Sequence, residues 1–218
     1  MRVIKPTYQI LTTISDNGIQ ELQHIERAAR VCYKSEDNIS ADGESAKKII
    51  SRLIKSGHEA MLEHSFLSVK FIVDRGISHE LVRHRLFSFA QESSRYVNYS
   101  KAKFGNEITV IEPLFFQAGT DKYQMWYESC KTAEKYYFNL LKEGATPQEA
   151  RSVLPNSTKT EIVISGNYRE WRHFFGLRVD TPAHPQMREI TIPLLKELQS
   201  KIPLIFDDIN PPEEKQTR

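Results

Sequence analysis

The stretch Phe66-Leu67-Ser68-Val69-Lys70-Phe71-Ile72-Val73 decides the fold class, because here the hydrophobic period changes from helical to extended. Leu67, Val69, Phe71 and Val73 fall on alternate positions with Ser68 and Lys70 between them, the spacing of a half-buried strand. Upstream the period is helical. After the turn Asp16-Asn17-Gly18, Ile19, Leu22, Ile25 and Ala29 outline one amphipathic helix, and Ala46, Ile49, Ile50, Leu53 and Ile54 outline a second that Gly57 ends. Downstream, a helix is expected from Ser78 to about Arg85, and Glu107 to Ile111 alternates like a strand ending at Pro113.

The longest helix is expected from about Lys122 to Lys142. Tyr123, Trp126, Tyr127, Cys130, Ala133, Tyr137, Leu140 and Leu141 form its apolar stripe, which reads as core. Thr146-Pro147-Gln148-Glu149 puts an N-cap, a proline at the first helical position and a capping glutamate in register, so a short helix carries Arg151. Thr160 to Ser165 reads as a strand. Asn167 with Glu170 reads as a second capping box, opening a helix through Leu177, and Met187 to Leu198 as a last helix that Pro193 should kink or shorten. Strands and helices do not alternate regularly. The expected fold is therefore α+β, a mixed, mainly antiparallel sheet flanked by helices, rather than a doubly wound sheet.

A chain of 218 residues, 39% hydrophobic and 27% charged, is long enough for one sizeable core. No repeat or composition shift divides it, so one domain is expected over 1–209, followed by a polar tail at 210–218 containing Pro211-Pro212. The 30 basic and 28 acidic residues leave a net charge of +2, which supplies no global field to recruit nucleic acid or an anionic membrane. Any anion site must be local. Cys32 and Cys130 are too few for a disulfide framework and lack zinc-site spacing, which suits a reducing cytoplasm and a protein without a thiol metal site. No secretory segment is evident, and no apolar run approaches the roughly 20 residues of a membrane span. The expectation is a soluble cytoplasmic protein.

The densest polar run is Arg83-His84-Arg85-Leu86-Phe87-Ser88-Phe89-Ala90-Gln91-Glu92-Ser93-Ser94-Arg95-Tyr96. Arginine presents a planar fork of donors and serine a short hydroxyl, a set suited to phosphate or carboxylate. The same charges could instead be a solvated helix end followed by a polar loop. A second cluster, Gly57-His58-Glu59-Ala60-Met61-Leu62-Glu63-His64, has two histidines and two acids without the usual zinc-protease spacing. His58 could equally be a helix C-terminal cation, with His64 packing at the strand start. Phosphate donors beside Phe87, Phe89 and Tyr96 also fit an RNA-binding module, against which the near-zero net charge argues.

Taken together these segments resemble one family. Arg83-His84-Arg85, seven residues and then Ser93, continuing as Ser94-Arg95-Tyr96, is similar to the signature of flavin-dependent thymidylate synthases. Ala28 to Cys32, Gly57-His58-Glu59 with Glu63-His64, Glu149-Ala150-Arg151 with Leu154-Pro155, and Asn167 to Arg178 with His184-Pro185-Gln186 agree in order over roughly residues 20 to 205.

The resemblance implies an enzyme that converts dUMP to dTMP, with methylenetetrahydrofolate giving the carbon and NADPH or NADH reducing FAD. By position, Ser93, Ser94, Arg95 and Arg151 would hold the dUMP phosphate, Gln91 would lie with the nucleotide, and Arg178 would contact the uracil as the catalytic cation. Arg83, His84, Arg85, His58, Glu63, Asn167, Arg169, His173 and Cys32 would surround the FAD, with His58 close to where folate enters. Ala90-Gln91, Glu80 and Cys32 depart from some relatives, and Glu80, which cannot donate, is left out of the nucleotide site. Cys32 reads as a small buried residue rather than a nucleophile. A homotetramer is also implied. If Arg83 and Arg85 were helical they would point about 200° apart, so that one chain would serve two sites.

Overall fold

The computed structural model describes residues 1–101 and 105–212. The chain opens with two short strands, β1 (Arg2–Ile4) and β2 (Thr7–Ile10), then helices α1 (Ile19–Val31) and α2 (Glu44–Lys55) and a 3-10 turn at Glu59–His64. Strand β3 (Phe66–Asp74), helix α3 (Arg75–Leu81) and strands β4 (Ser88–Gln91) and β5 (Thr109–Ile111) follow. Next come α4 (Asp121–Lys142), α5 (Pro147–Ala150), β6 (Lys159–Asn167), α6 (Tyr168–Arg178), α7 (Pro185–Lys201) and α8 (Pro203–Phe206). The fold is α+β, with an antiparallel sheet and flanking helices. Four strands run in the order β2-β3-β6-β4, and β1 pairs separately with β5 in parallel, Val3 opposite Val110.

Two compact units divide the chain. The first comprises Met1–Tyr8, Lys70–Arg83 and Phe89–Val163; the second comprises Gln9–Val69, His84–Ser88 and the residues from Ile164 onward. In the first, Arg75 N–H donates to the Asn156 carbonyl at 2.9 Å, pairing the end of β3 with the approach to β6. Its core gathers Tyr99, Ile108, Val110, Cys130, Tyr137 and Ala150. The tyrosine rings of Tyr99 and Tyr137 meet edge to face at 5.7 Å, a favoured aromatic arrangement. The aromatic stripe of α4, expected as core, is buried only at Cys130 and Tyr137, while Tyr123, Trp126 and Tyr127 stay partly exposed. A helix of 22 residues is longer than this small core can cover, so amphipathic spacing alone overstates its burial.

In the second unit the alternation of β3 is realised: Leu67 and Val69 are fully buried. Tyr168 N–H donates to the Ser65 carbonyl at 3.0 Å, which sets the end of β6 beside the start of β3. Helix α6 buries Tyr168, Glu170, Trp171, Phe174 and Phe175. Fully burying such an aromatic contributes about 1.5–3 kcal/mol. Trp171 Nε1–H also finds the Leu67 carbonyl at 3.0 Å, so its one polar group is satisfied. A Cβ on Gly166 would lie 2.1 Å from Phe87, hence that position must be glycine for the ring to seat against the strand.

Several expectations need correcting. Helix α3 starts and ends earlier than expected, from Arg75 to Leu81, because the buried Asp74 side chain caps it by accepting from Ile77 N–H at 2.8 Å. Arg83 and Arg85 therefore lie beyond the helix, which does not set their side chains in opposed directions. Arg151 follows α5 rather than sitting on it, in a 3-10 turn at Arg151–Val153. At Asn167 only half of the capping box forms: Asn167 Oδ1 accepts from Glu170 N–H at 2.9 Å, while the Glu170 carboxylate turns toward His84. Pro193 does not shorten α7, which runs unbroken from Pro185 to Lys201 with that proline exposed. Cys32, expected to be buried, is exposed, and so is His64, for which packing at the strand start was one of two readings. Of the expected tail, residues 213–218 lie outside the described residues. Among the described residues no helix is long and apolar enough to cross a membrane.

Candidate active site

In the first unit a cavity of about 450 Å³ is lined by Arg75 and His79 of α3, Glu92 and Ser94 after β4, Arg151 after α5, and Thr160 of β6, among others. The capping box at Thr146 stations Arg151: the Thr146 hydroxyl and N–H both meet the Glu149 carboxylate at 2.7 Å, which fixes where α5 begins and ends. From there Arg151 Nη1–H donates to the buried Ser94 hydroxyl at 3.1 Å. A guanidinium and a hydroxyl meeting at a cavity wall can share one anionic ligand.

Ser93, Arg95 and Gln91, the other nucleotide candidates of this unit, do not line the cavity. Ser93 is half-buried and Arg95 is exposed, its guanidinium 5.5 Å from the centre of the Tyr96 ring. Gln91 Nε2–H donates to the hydroxyls of two buried residues, Ser78 at 2.9 Å and Thr160 at 3.2 Å.

Sequence reasoning missed an ion cluster here. Lys159 reaches Glu92 at 2.9 Å and Glu161 at 2.8 Å, and Lys70 reaches Glu161 at 2.5 Å. Burial would pull the Lys159 ammonium down, but its bonds to Glu161 and Glu92 outweigh burial and raise it. Burial, with Glu92 beside it, holds the Tyr99 phenol well above its ordinary value, and its hydroxyl donates to Glu92 at 3.3 Å. Charged residues alternating with buried threonine and isoleucine along Lys159–Asn167 were the available signal.

In the second unit a cavity of about 750 Å³ is lined by Glu59, Glu63, Leu86, Asn167, Arg169, Glu170, Arg172, His173 and Ile209. It brings together four of the expected flavin residues: Glu63, Asn167, Arg169 and His173. Arg169 and Glu63 pair at 2.5 Å, both exposed, so their attraction is screened and weak. Arg172, which the sequence reading missed, is half-buried and forks onto Glu59 at 3.0 Å and Asp208 at 2.6 Å. Arg85, His58 and Cys32 are exposed away from this lining, and Arg83, in the first unit, is exposed after α3.

His84, by contrast, is not on the surface. Its ring is buried, 4.9 Å edge-on from Phe174 and 6.4 Å from His173. Arg178 Nε–H donates to His84 Nε2 at 2.9 Å. Burial, then the Arg178 charge and His173, lower the imidazole from 6.5 to about 4, which leaves it neutral at physiological pH. Burial pushes the neighbouring Glu170 carboxyl up, with His173 opposing. A neutral imidazole is required, because an imidazolium has no lone pair to offer an arginine.

The family model described as thymidylate synthase complementing protein matches residues 16–204. The chain belongs to this family. Its relatives carry a more particular name. A flavin-dependent thymidylate synthase from Corynebacterium aurimucosum is 37% identical over 207 residues, covering 89% of this chain and 83% of the relative. One of the same name from Corynebacterium glutamicum is 34% identical over 194 residues, covering 84% and 78%. In fold the chain is similar to a UMP/dUMP methylase, PolB from Streptomyces cacaoi, solved bound with 5-Br dUMP, with a TM-score of 0.77 and 24% identity over 95% of this chain and 96% of that one.

Proposed function

We infer that this chain is a flavin-dependent thymidylate synthase that methylates dUMP to dTMP, with methylenetetrahydrofolate as carbon donor and FAD, reduced by NADPH or NADH, as hydride source. The observation that carries the reading is the meeting of Arg151 and Ser94 at a cavity wall, two residues 57 positions apart joined by a hydrogen bond. Both belong to segments that resemble the family's phosphate-binding positions. With Ser93 and Arg95 they would hold the dUMP phosphate, and Gln91 would steady the strand beneath the nucleotide. Arg178 would lie against the uracil, where a fixed cation stabilises negative charge as the ring carbon becomes nucleophilic.

The second cavity fits a flavin in size, since ligand pockets run to roughly 300–1,000 Å³, and in chemistry, since Arg169, Asn167 and His173 offer donors for phosphate and ring. Glu63 lines the same cavity, whereas Arg83, His84, Arg85, His58 and Cys32, which do not line it, are proposed for the flavin from the family resemblance alone. When bound, FAD supplies the hydride that completes the methyl group. The chain's own residues bind, orient and polarise; the reaction asks for no protein thiolate. Cys32 and Cys130, both free, suit a reducing cytoplasmic setting. We further propose a homotetramer, supported by the exposed apolar residues of α4, Met125 at 75% and Tyr136 at 57% exposure.

The deciding experiment follows dUMP-dependent NAD(P)H oxidation with FAD and methylenetetrahydrofolate and identifies the product. Formation of dTMP by a yellow protein is expected. A colourless protein that forms no dTMP and binds oligonucleotides in a strongly salt-dependent way would overturn the reading.

A further inference from the structure

Glu170 belongs to no assigned role, yet it is a carboxylate buried to 5% exposure among aromatic rings. Burying such a group is costly unless something answers it. The group that faces it is His84, whose Nδ1 lies 3.9 Å from Glu170 Oε1, both side chains being almost fully enclosed. The other nitrogen of the same ring is committed: His84 Nε2 accepts from Arg178 Nε–H at 2.9 Å. Arginine is donor only, so Nε2 must carry the lone pair and the single imidazole proton must sit on Nδ1. The Glu170 carboxylate, 3.9 Å from that nitrogen, is too far for a direct hydrogen bond but close enough for its charge to favour a proton there. Among the described residues, Arg178 and His173 also face the ring.

Helix α6 supplies all of these except His84. Glu170, His173 and Arg178 follow Asn167 along one helix, and Asn167 takes the Glu170 backbone N–H, which leaves the carboxylate unused by the cap. The edge-on Phe174 ring keeps the imidazole from turning over.

We propose that Glu170 is a positioning residue: it holds His84 in the one tautomer able to accept Arg178 Nε–H, and so fixes the guanidinium that the proposed function sets against the uracil. This rests on that reading for the role of Arg178, but the Glu170–His84–Arg178 chain does not. A carboxylate that orients a histidine through its far nitrogen is a general device for setting which ring nitrogen is basic.

The test uses the FAD-loaded enzyme labelled with 15N-histidine, with the His84 signals assigned through His84→Gln. Wild-type protein without dUMP should show His84 protonated at Nδ1 and bare at Nε2; the opposite tautomer overturns the proposal. Glu170→Gln keeps an acceptor oxygen and should retain both the tautomer and near wild-type kcat. Glu170→Ala should mix the tautomers and lower kcat about tenfold at saturating FAD, with KM for the nicotinamide unchanged. Wild-type kcat in Glu170→Ala, or an equal loss in Glu170→Gln, overturns the positioning role. Should the alanine variant not fold, the wild-type tautomer and the glutamine variant still decide. If the tautomer behaves as stated but Arg178→Ala turns over normally, the placement of Arg178 at the uracil fails and the positioning chain stands.

Discussion

Arg178, which the proposed function sets against the uracil, also donates from its Nε to a buried histidine. Arg178→Ala should lower kcat by about 10²-fold while leaving FAD bound, the loss typical of removing one donor to developing charge; near-normal kcat would remove it from that role. In the first unit, Arg151→Ala or Arg95→Ala should weaken dUMP binding by about 1.5–3 kcal/mol, as expected for a charged hydrogen bond, readable by calorimetric titration. Unchanged affinity would count against the phosphate assignment. His84 gives a pH dependence of defined sign. Its folded value of about 4 lies below the ordinary 6.5, so between them the unfolded chain takes up a proton that the folded chain refuses. Its contribution to stability is complete above pH 6.5 and is lost as pH falls toward 4. Glu170, pushed up by burial, acts with the opposite sign: its contribution is present below the ordinary carboxylate value and lost as pH rises through the raised one. Urea denaturation from pH 7 to 4 should therefore show stability falling, with a shallower fall in His84→Gln. An equally steep fall in that variant would reassign the effect.

Short elements place the long ones' chemistry. Helix α5 is only four residues, too short to be stable alone, and its start rests on the Thr146–Glu149 capping box. Thr146→Ala should cost about 1 kcal/mol of stability. Because Arg151 begins the very next turn, the same change should raise the Kd for dUMP while leaving FAD content alone. A stability loss with unchanged dUMP affinity would show that Arg151 is held by other means. Helix α3 makes the same point from its N-terminus: the Asp74 cap sets it early, and with it Arg75 and His79 at the cavity wall.

At the scale of the whole molecule, α4 presents more aromatic surface than its unit covers. Tyr136 is 57% exposed and Met125 more so, a surface that closed symmetry would bury equally in every copy. Sedimentation across a dilution series, read beside specific activity, should give four-chain mass at working concentration and activity that falls as the assembly dissociates. A monomer of full specific activity would end the shared-assembly model.

What the sequence determined by itself is what depends on near neighbours along the chain. The period-two run from Phe66, the helices α1 and α2, the caps at Thr146 and Asn167 and the α+β class all follow from side-chain spacing within a turn or a pleat, and all appear in the structure. The family signature, a matter of residue identity and order, was legible in the same way. Only the tertiary structure decided the rest. Strands β1 and β2 are three and four residues long, too short to show a period, and β1 exists because it pairs with β5 more than a hundred residues away. Arg151 meets Ser94, Lys159 meets Glu92 and Glu170 faces His84 only once strands and helices are packed, because a hydrogen bond or ion pair depends on distance in space and the sequence records distance only along the chain.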